Sequence, residues 1–187
     1  RAMEAPAITR QRRPFLAPLW IMAALALIAT GLAVAAYRSL ATTTVVLVRH
    51  AEKELSTIED APLAPEGELR AERLAQMFGQ IAGPGRLKAI YVSDARRTQQ
   101  TAAPLAARLH MQPIVLPGAD VNAFAKGAMR DHSGGAVLIV GHSNTIPQIV
   151  QRISGLEVPP IADDEFDGIY VVSVPTMGKA SVLRLKY

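Results

Sequence analysis

Apolar residues fall along this chain in two kinds of run. One is long: from Phe15 to Tyr37 no charged residue interrupts a stretch rich in Ala, Leu and Ile. The others are short. Val45-Val46-Leu47-Val48, Leu87 to Val92 and Ala136-Val137-Leu138-Ile139-Val140 are brief, mostly apolar runs, and such runs predict strands buried on both faces. Between them the apolar spacing changes to that of helices. Pro65 suits the first position of a helix in which Leu69, Leu74, Met77, Phe78 and Ile81 recur, until Gly83-Pro84-Gly85 stops it. A second helix is expected to about His110, a short strand over 113–116, a helix to about Asp131, and another from Asn144 to about Ser154. Two closing strands, 168–174 and 180–186, flank a turn at Pro175-Thr176-Met177-Gly178 and predict an antiparallel hairpin at a sheet edge. Strands alternating with helices give an α/β fold, a three-layer α/β/α sandwich around a mostly parallel sheet, occupying residues 44–187.

The long run changes the picture of the first 40 residues. About 20 apolar residues span a bilayer as a helix, so 15–37 is long enough for a transmembrane anchor. Residues 1–14 form a basic segment before it, with Arg10, Arg12 and Arg13 close to the run, and the positive-inside rule then keeps the N-terminus cytoplasmic and exports the domain. Two variants of export stay open. Ala33-Val34-Ala35 has the small-residue pattern of a signal-peptide cleavage site, and Arg12-Arg13-Pro14-Phe15-Leu16 is similar to a twin-arginine export signal.

Charge and composition exclude more than they assign. The net charge of +4 suggests a nucleic-acid binder until it is located along the chain. The first 40 residues hold five arginines and one glutamate, leaving 15 basic and 15 acidic residues in the rest, so the domain is neutral and lacks a phosphate-backbone footprint. There is no cysteine, which removes disulfides, thiolate metal sites and a cysteine nucleophile. The acidic run Asp163-Asp164-Glu165-Asp167 reads as a solvated loop within 157–167 rather than a cation site.

The candidate chemistry sits where strands end. Three of the four predicted βα strands finish in polar groups of one character: Arg49-His50, Ser93 to Arg97, and His142-Ser143-Asn144. In a parallel sheet these ends share an edge, and ligands of open α/β folds bind there. Two arginines, two histidines, a serine and an asparagine suit a tetrahedral dianion, which points to a phosphoryl group.

These stretches resemble the blocks of the histidine phosphatase superfamily, which includes phosphoglycerate mutases and acid phosphatases. Leu47-Val48-Arg49-His50-Ala51-Glu52 is similar to its Arg-His-Gly signature, and Ser93-Asp94-Ala95-Arg96-Arg97-Thr98-Gln99-Gln100-Thr101-Ala102 to its Ser-Pro-x-x-Arg-x-x-Gln-Thr-Ala block. Val140-Gly141-His142-Ser143-Asn144 resembles its Gly-His block, and Pro62-Leu63-Ala64-Pro65-Glu66-Gly67 its Leu-Thr-x-x-Gly lead into the first helix. The departures are Ala51 for Gly and Asp94 for Pro.

The resemblance implies a phosphoglycerate mutase-like fold in a short form without a capping insertion, and a phosphatase that uses no metal and no cofactor. It makes His50 the nucleophile that becomes phosphorylated, with Arg49, Arg97 and His142 around the phosphoryl oxygens and Ser56, Ser143 and Asn144 as further substrate contacts. Asp120, after the short third strand, is the expected general acid, with Asp131, Glu52 and Asp94 as alternatives. The expected partners are a phosphorylated small molecule or phosphoprotein and, through 15–37, a membrane. A reading of another class is a catalytically inactive, membrane-tethered module that binds phosphate groups.

Overall fold

The structure is a computed structural model that describes residues 19–39, 42–55, 60–81, 83–132 and 134–187. The chain divides into two compact units, residues 1–37 and residues 38–187. In the first, α1 (Leu19–Ser39) is a helix of which Leu19–Tyr37 has mean hydropathy 2.3. By length and composition it is long and apolar enough to cross a membrane.

In the second unit the order is β1 (Thr42–Arg49), α2 (Pro65–Phe78), β2 (Leu87–Ser93), α3 (Arg96–Leu109), β3 (Ile114–Leu116), α4 (Val121–Lys126), β4 (Ala136–Gly141), α5 (Thr145–Ser154), β5 (Gly168–Pro175) and β6 (Ser181–Lys186). A π-helical turn, Gly127–Asp131, continues α4. The six strands make one sheet in the order β3-β2-β4-β1-β5-β6. β3, β2, β4 and β1 run parallel, and the closing hairpin β5–β6 joins antiparallel, β5 against β1.

The unbroken apolar runs are buried because the sheet is covered on both sides. Along β1, Val46 and Val48 pack with Ile90, Val92, Leu138 and Val140 under Leu74 and Ala75 of α2 and Ala102, Leu105 and Leu109 of α3. Val45 and Leu47 face the other way, with Val137 and Ile139, against Phe124 of α4 and Ile146, Ile149 and Val150 of α5. Side chains alternate across a strand, so apolar residues are needed at every position when both faces are covered.

Helix α2 departs from its expected face. Its buried residues are Gly67, Ala71, Leu74 and Ala75, whereas Leu69 and Met77 are largely exposed and the helix ends at Phe78, before Ile81. Small residues are selected where α2 lies close to the chain after β1. A Cβ on Gly67 would stand 2.2 Å from the Glu52 carbonyl oxygen, so only glycine admits that approach.

Candidate active site

Sheet order explains why three separated stretches meet. β2, β4 and β1 are adjacent, with Arg49 opposite Gly141 and Val92 opposite Val140. The residues just past these positions therefore emerge side by side at one edge. They line a cleft of about 720 Å³ that includes Arg49, His50, Arg97, His142, Ser143, Asn144, Lys53 and Phe166.

His50 is fixed through its backbone and its ring. Its N–H donates to the Gly141 carbonyl at 2.9 Å, and the next N–H, of Ala51, donates to Thr101 Oγ1 at 2.9 Å. The ring nitrogen Nδ1 lies 2.8 Å from the Ala51 carbonyl oxygen, which can only accept, so Nδ1 carries the hydrogen and Nε2 keeps a free lone pair. Burial, and then the charges of Arg97, His142 and Arg49, push the imidazole down to about 3, against the hydrogen bond to Ala51. His50 is therefore neutral at ordinary pH, the form a nucleophile requires.

His142 stands edge-on to His50, ring centroids 5.4 Å apart. Its Nε2 lies 2.9 Å from Ser93 Oγ and its Nδ1 3.4 Å from Arg97 Nη2. Burial and the arginines Arg97 and Arg49 lower it to about 4, Asp94 pulling the other way.

The two arginines are held differently. Arg49 is only 8% exposed. Its Nη1 donates to the carbonyls of Ala162, Asp163 and Glu165 at 2.8–3.0 Å, and its guanidinium lies 4.1 Å from the centre of the Phe166 ring. The acidic loop thus contributes backbone carbonyls to an arginine cradle. Burial lowers Arg49, and the carboxylates of Asp163 and Glu165 oppose this. Among the described residues the Arg97 guanidinium has only the long contact to His142 and a 3.9 Å approach to Asp60. Nε of each arginine is buried without a partner among the described residues, which leaves donors over for an oxyanion.

Asp120 is not brought to this cleft. It is exposed, and its carboxylate caps α4 by accepting from the Ala123 N–H at 2.9 Å, while its neighbours Gly118 and Ala119 line the wall. An Asp ahead of a helix is drawn to the free N–H groups of the first turn, and that cap competes with the acid role expected of it. The alternatives fare no better. Glu52 lines the cleft but is clasped by Arg70 Nε and Nη2 at 2.6–3.0 Å; burial raises it, yet those bonds hold it below the usual carboxylate range. Asp94 is exposed and accepts from the Gly118 N–H at 3.1 Å. Ser56 lies outside the described residues, as does the side chain of Asp131.

Four contributors escaped the sequence reading. Phe166 and the carbonyls around Arg49 belong to a loop that reads only as acidic. Arg70 carried no signal, because a charged residue on a helix reads as solvated. Thr101 was visible as part of the Gln-Thr-Ala block without its task. Among the described residues no group of three His, Asp or Glu side chains is placed to hold a metal ion.

Comparison with known proteins agrees with this geometry. The family model of the histidine phosphatase superfamily, branch 1, matches residues 45–120. Among solved structures, the protein histidine phosphatase SixA complexed with tungstate superposes with a TM-score of 0.61 at 20% identity, over 76% of this chain and 96% of that one. A mycobacterial glucosyl-3-phosphoglycerate phosphatase gives 0.59 at 15% identity, over 75% and 97%. Phosphoglycerate mutase from Plasmodium falciparum gives 0.56 at 20%, over 78% and 91%. At these identities the likeness is one of fold. No curated protein matched.

Proposed function

The chain belongs to the histidine phosphatase superfamily, and on that premise we propose that it hydrolyses a phosphomonoester or a phosphorylated protein side chain through a phosphohistidine at His50. The observation that carries this is the state of His50: a neutral imidazole, its Nδ1–H spent on a carbonyl, beside two guanidinium groups and a second histidine.

In this reading Nε2 of His50 forms the new N–P bond as the bond to the leaving group breaks. Arg49, Arg97 and His142 hold the three non-bridging oxygens and take up the charge of the transition state. Water then attacks phosphorus, freeing inorganic phosphate and regenerating neutral His50. Ser143 and Asn144, on the cleft wall, contact the substrate, and the arginines supply the charge neutralisation without a metal ion. Among the described residues the carboxylates on that wall are Glu52, engaged by Arg70, and Asp163. With few free acids on the described part of the wall, the site favours phosphoryl donors whose leaving group departs with little protonation, such as acyl or aryl phosphates.

The same reading places the domain outside the cytoplasm, anchored by α1, on the strength of the apolar span and the arginines before it. Alkaline extraction of membranes, with a reporter fused after Tyr187, tests anchorage and sidedness. The activity is tested on the full chain with an aryl phosphate in EDTA, beside His50→Ala. Turnover in EDTA that His50→Ala abolishes is expected. No turnover leaves the inactive phosphate-binding module, and turnover that EDTA removes contradicts the metal-free route.

A further inference from the structure

Behind His142 lies a chain of hydroxyls whose proton direction can be worked out from its far end. Ser93 Oγ lies 2.9 Å from His142 Nε2 and 2.8 Å from Thr98 Oγ1. Thr98 Oγ1 in turn lies 2.7 Å from the Ala95 carbonyl and 3.0 Å from the Ser93 carbonyl. Ser93 and Thr98 are completely buried, so no solvent enters this accounting. Carbonyl oxygens only accept, so the Thr98 hydroxyl must spend its single hydrogen on them. Its oxygen is then free to accept, and the Ser93 hydrogen goes to it. Ser93 Oγ also accepts from the Ala95 N–H at 3.2 Å, and towards His142 it has nothing left to donate. The hydrogen between them therefore belongs to His142 Nε2. The reverse direction would leave two carbonyls facing the Thr98 oxygen with no hydrogen between, a buried lone-pair clash.

We infer that Thr98, through Ser93, is a positioning residue that fixes neutral His142 as the Nε2–H tautomer and so leaves its Nδ1 lone pair towards Arg97. Nδ1 is then the atom that gains a proton when a phosphoryl dianion arrives, turning His142 from an acceptor of the Arg97 guanidinium into a donor to the substrate. In the free protein the 3.4 Å contact with Arg97 occupies that lone pair. Thr98 sits at an unspecified position of the Ser-Pro-x-x-Arg-x-x-Gln-Thr-Ala block, so the device belongs to this chain rather than to the motif. The inference rests on the catalytic reading only for the meaning of the tautomer, and not for its existence.

The test uses histidine-selective ¹⁵N labelling of the full chain in lipid nanodiscs, since only four histidines contribute signals. Long-range ¹H–¹⁵N spectra at neutral pH distinguish the protonated from the bare ring nitrogen. Unmodified protein and Thr98→Ser, which keeps the hydroxyl, should show His142 as the Nε2–H tautomer. Thr98→Val, of equal shape without the hydroxyl, should show a mixture of both tautomers, and kcat/KM for an aryl phosphate should fall about tenfold and recover in Thr98→Ser. Should Thr98→Val fail to fold, Thr98→Ala carries the same comparison. A pure Nε2–H tautomer in the hydroxyl-free variant overturns the inference. A tautomer shift without loss of activity keeps the relay and overturns its catalytic value. Loss of activity in every version, including the unmodified chain, sinks the proposed function and leaves the tautomer result standing.

Discussion

The two walls of the cleft are built to different standards of rigidity. On the Arg49 side, a buried guanidinium is gripped by three backbone carbonyls from 162–165 and covered by Phe166, whose ring also lies 6.0 Å from that of His50. On the Arg97 side, a guanidinium on the first turn of α3 has one long contact to His142 and a loose approach to an exposed Asp60. The first wall is set before substrate arrives. The second keeps its hydrogen bonds free and can spend them on the incoming phosphoryl group. Arg49 spends Nη1 on its cradle and has Nε left for the ligand, whereas Arg97 commits almost none of its five N–H donors before the ligand arrives.

The largest expected effect lies between the walls. His50→Ala should lower kcat by about a thousandfold or more, since it removes the nitrogen that would attack phosphorus. The two arginines should then part company. Arg97→Ala should cost about 10²–10³ in kcat/KM while leaving the urea midpoint nearly unchanged. Arg49→Ala should lose comparable activity and also about 1–3 kcal/mol of stability, because three carbonyls and the Phe166 face lose their partner. Equal stability losses in the two variants would erase the distinction drawn between the walls. Phe166→Leu should be milder, up to about tenfold in kcat/KM, the scale of a cation–π contact.

The pH response sharpens the account of the middle of the cleft. Folding holds His50 near 3 and His142 near 4, both below the ordinary value of 6.5. The unfolded chain then binds more protons than the folded one below about 6.5, so stability should be full above that pH and fall as pH drops towards 4. Urea midpoints at neutral and mildly acidic pH check the sign, and His50→Asn should flatten the slope. Activity should persist at about pH 5 for a substrate of constant charge, where an unperturbed histidine would be mostly protonated. The smallest effect belongs to Asp120→Asn. Asparagine keeps the helix cap and cannot donate a carboxyl proton, so kcat/KM should stay within about twofold. A hundredfold loss would restore Asp120 as the general acid.

What was legible in the sequence follows from which constraints are local. The runs at 45–48 and 136–140 announce their strands because a doubly covered strand is apolar throughout, the run at 87–92 is broken only by Lys88, exposed near the start of its strand, and Arg49, His50, Arg97 and His142 follow at fixed offsets from those strands. The hairpin at 168–186 was readable from its turn. Asp120 follows β3, three residues long at the open edge of the sheet, where position after a strand does not secure position in the cleft. The grip on Arg49 was invisible for another reason. Its partners are main-chain carbonyls more than a hundred residues away, and a backbone group leaves no mark on residue type. The same holds for the clasp of Arg70 on Glu52, which depends on how α2 is seated rather than on spacing along it.

The most direct test is to look for the covalent intermediate itself. The full chain, mixed briefly with an aryl phosphate and quenched in alkali, is digested and its histidine-containing peptides are read by mass spectrometry. The account predicts phosphate on His50 alone, lost on acidification and absent from His50→Ala. Turnover with an unmodified His50, or phosphate carried on His142 instead, would contradict it.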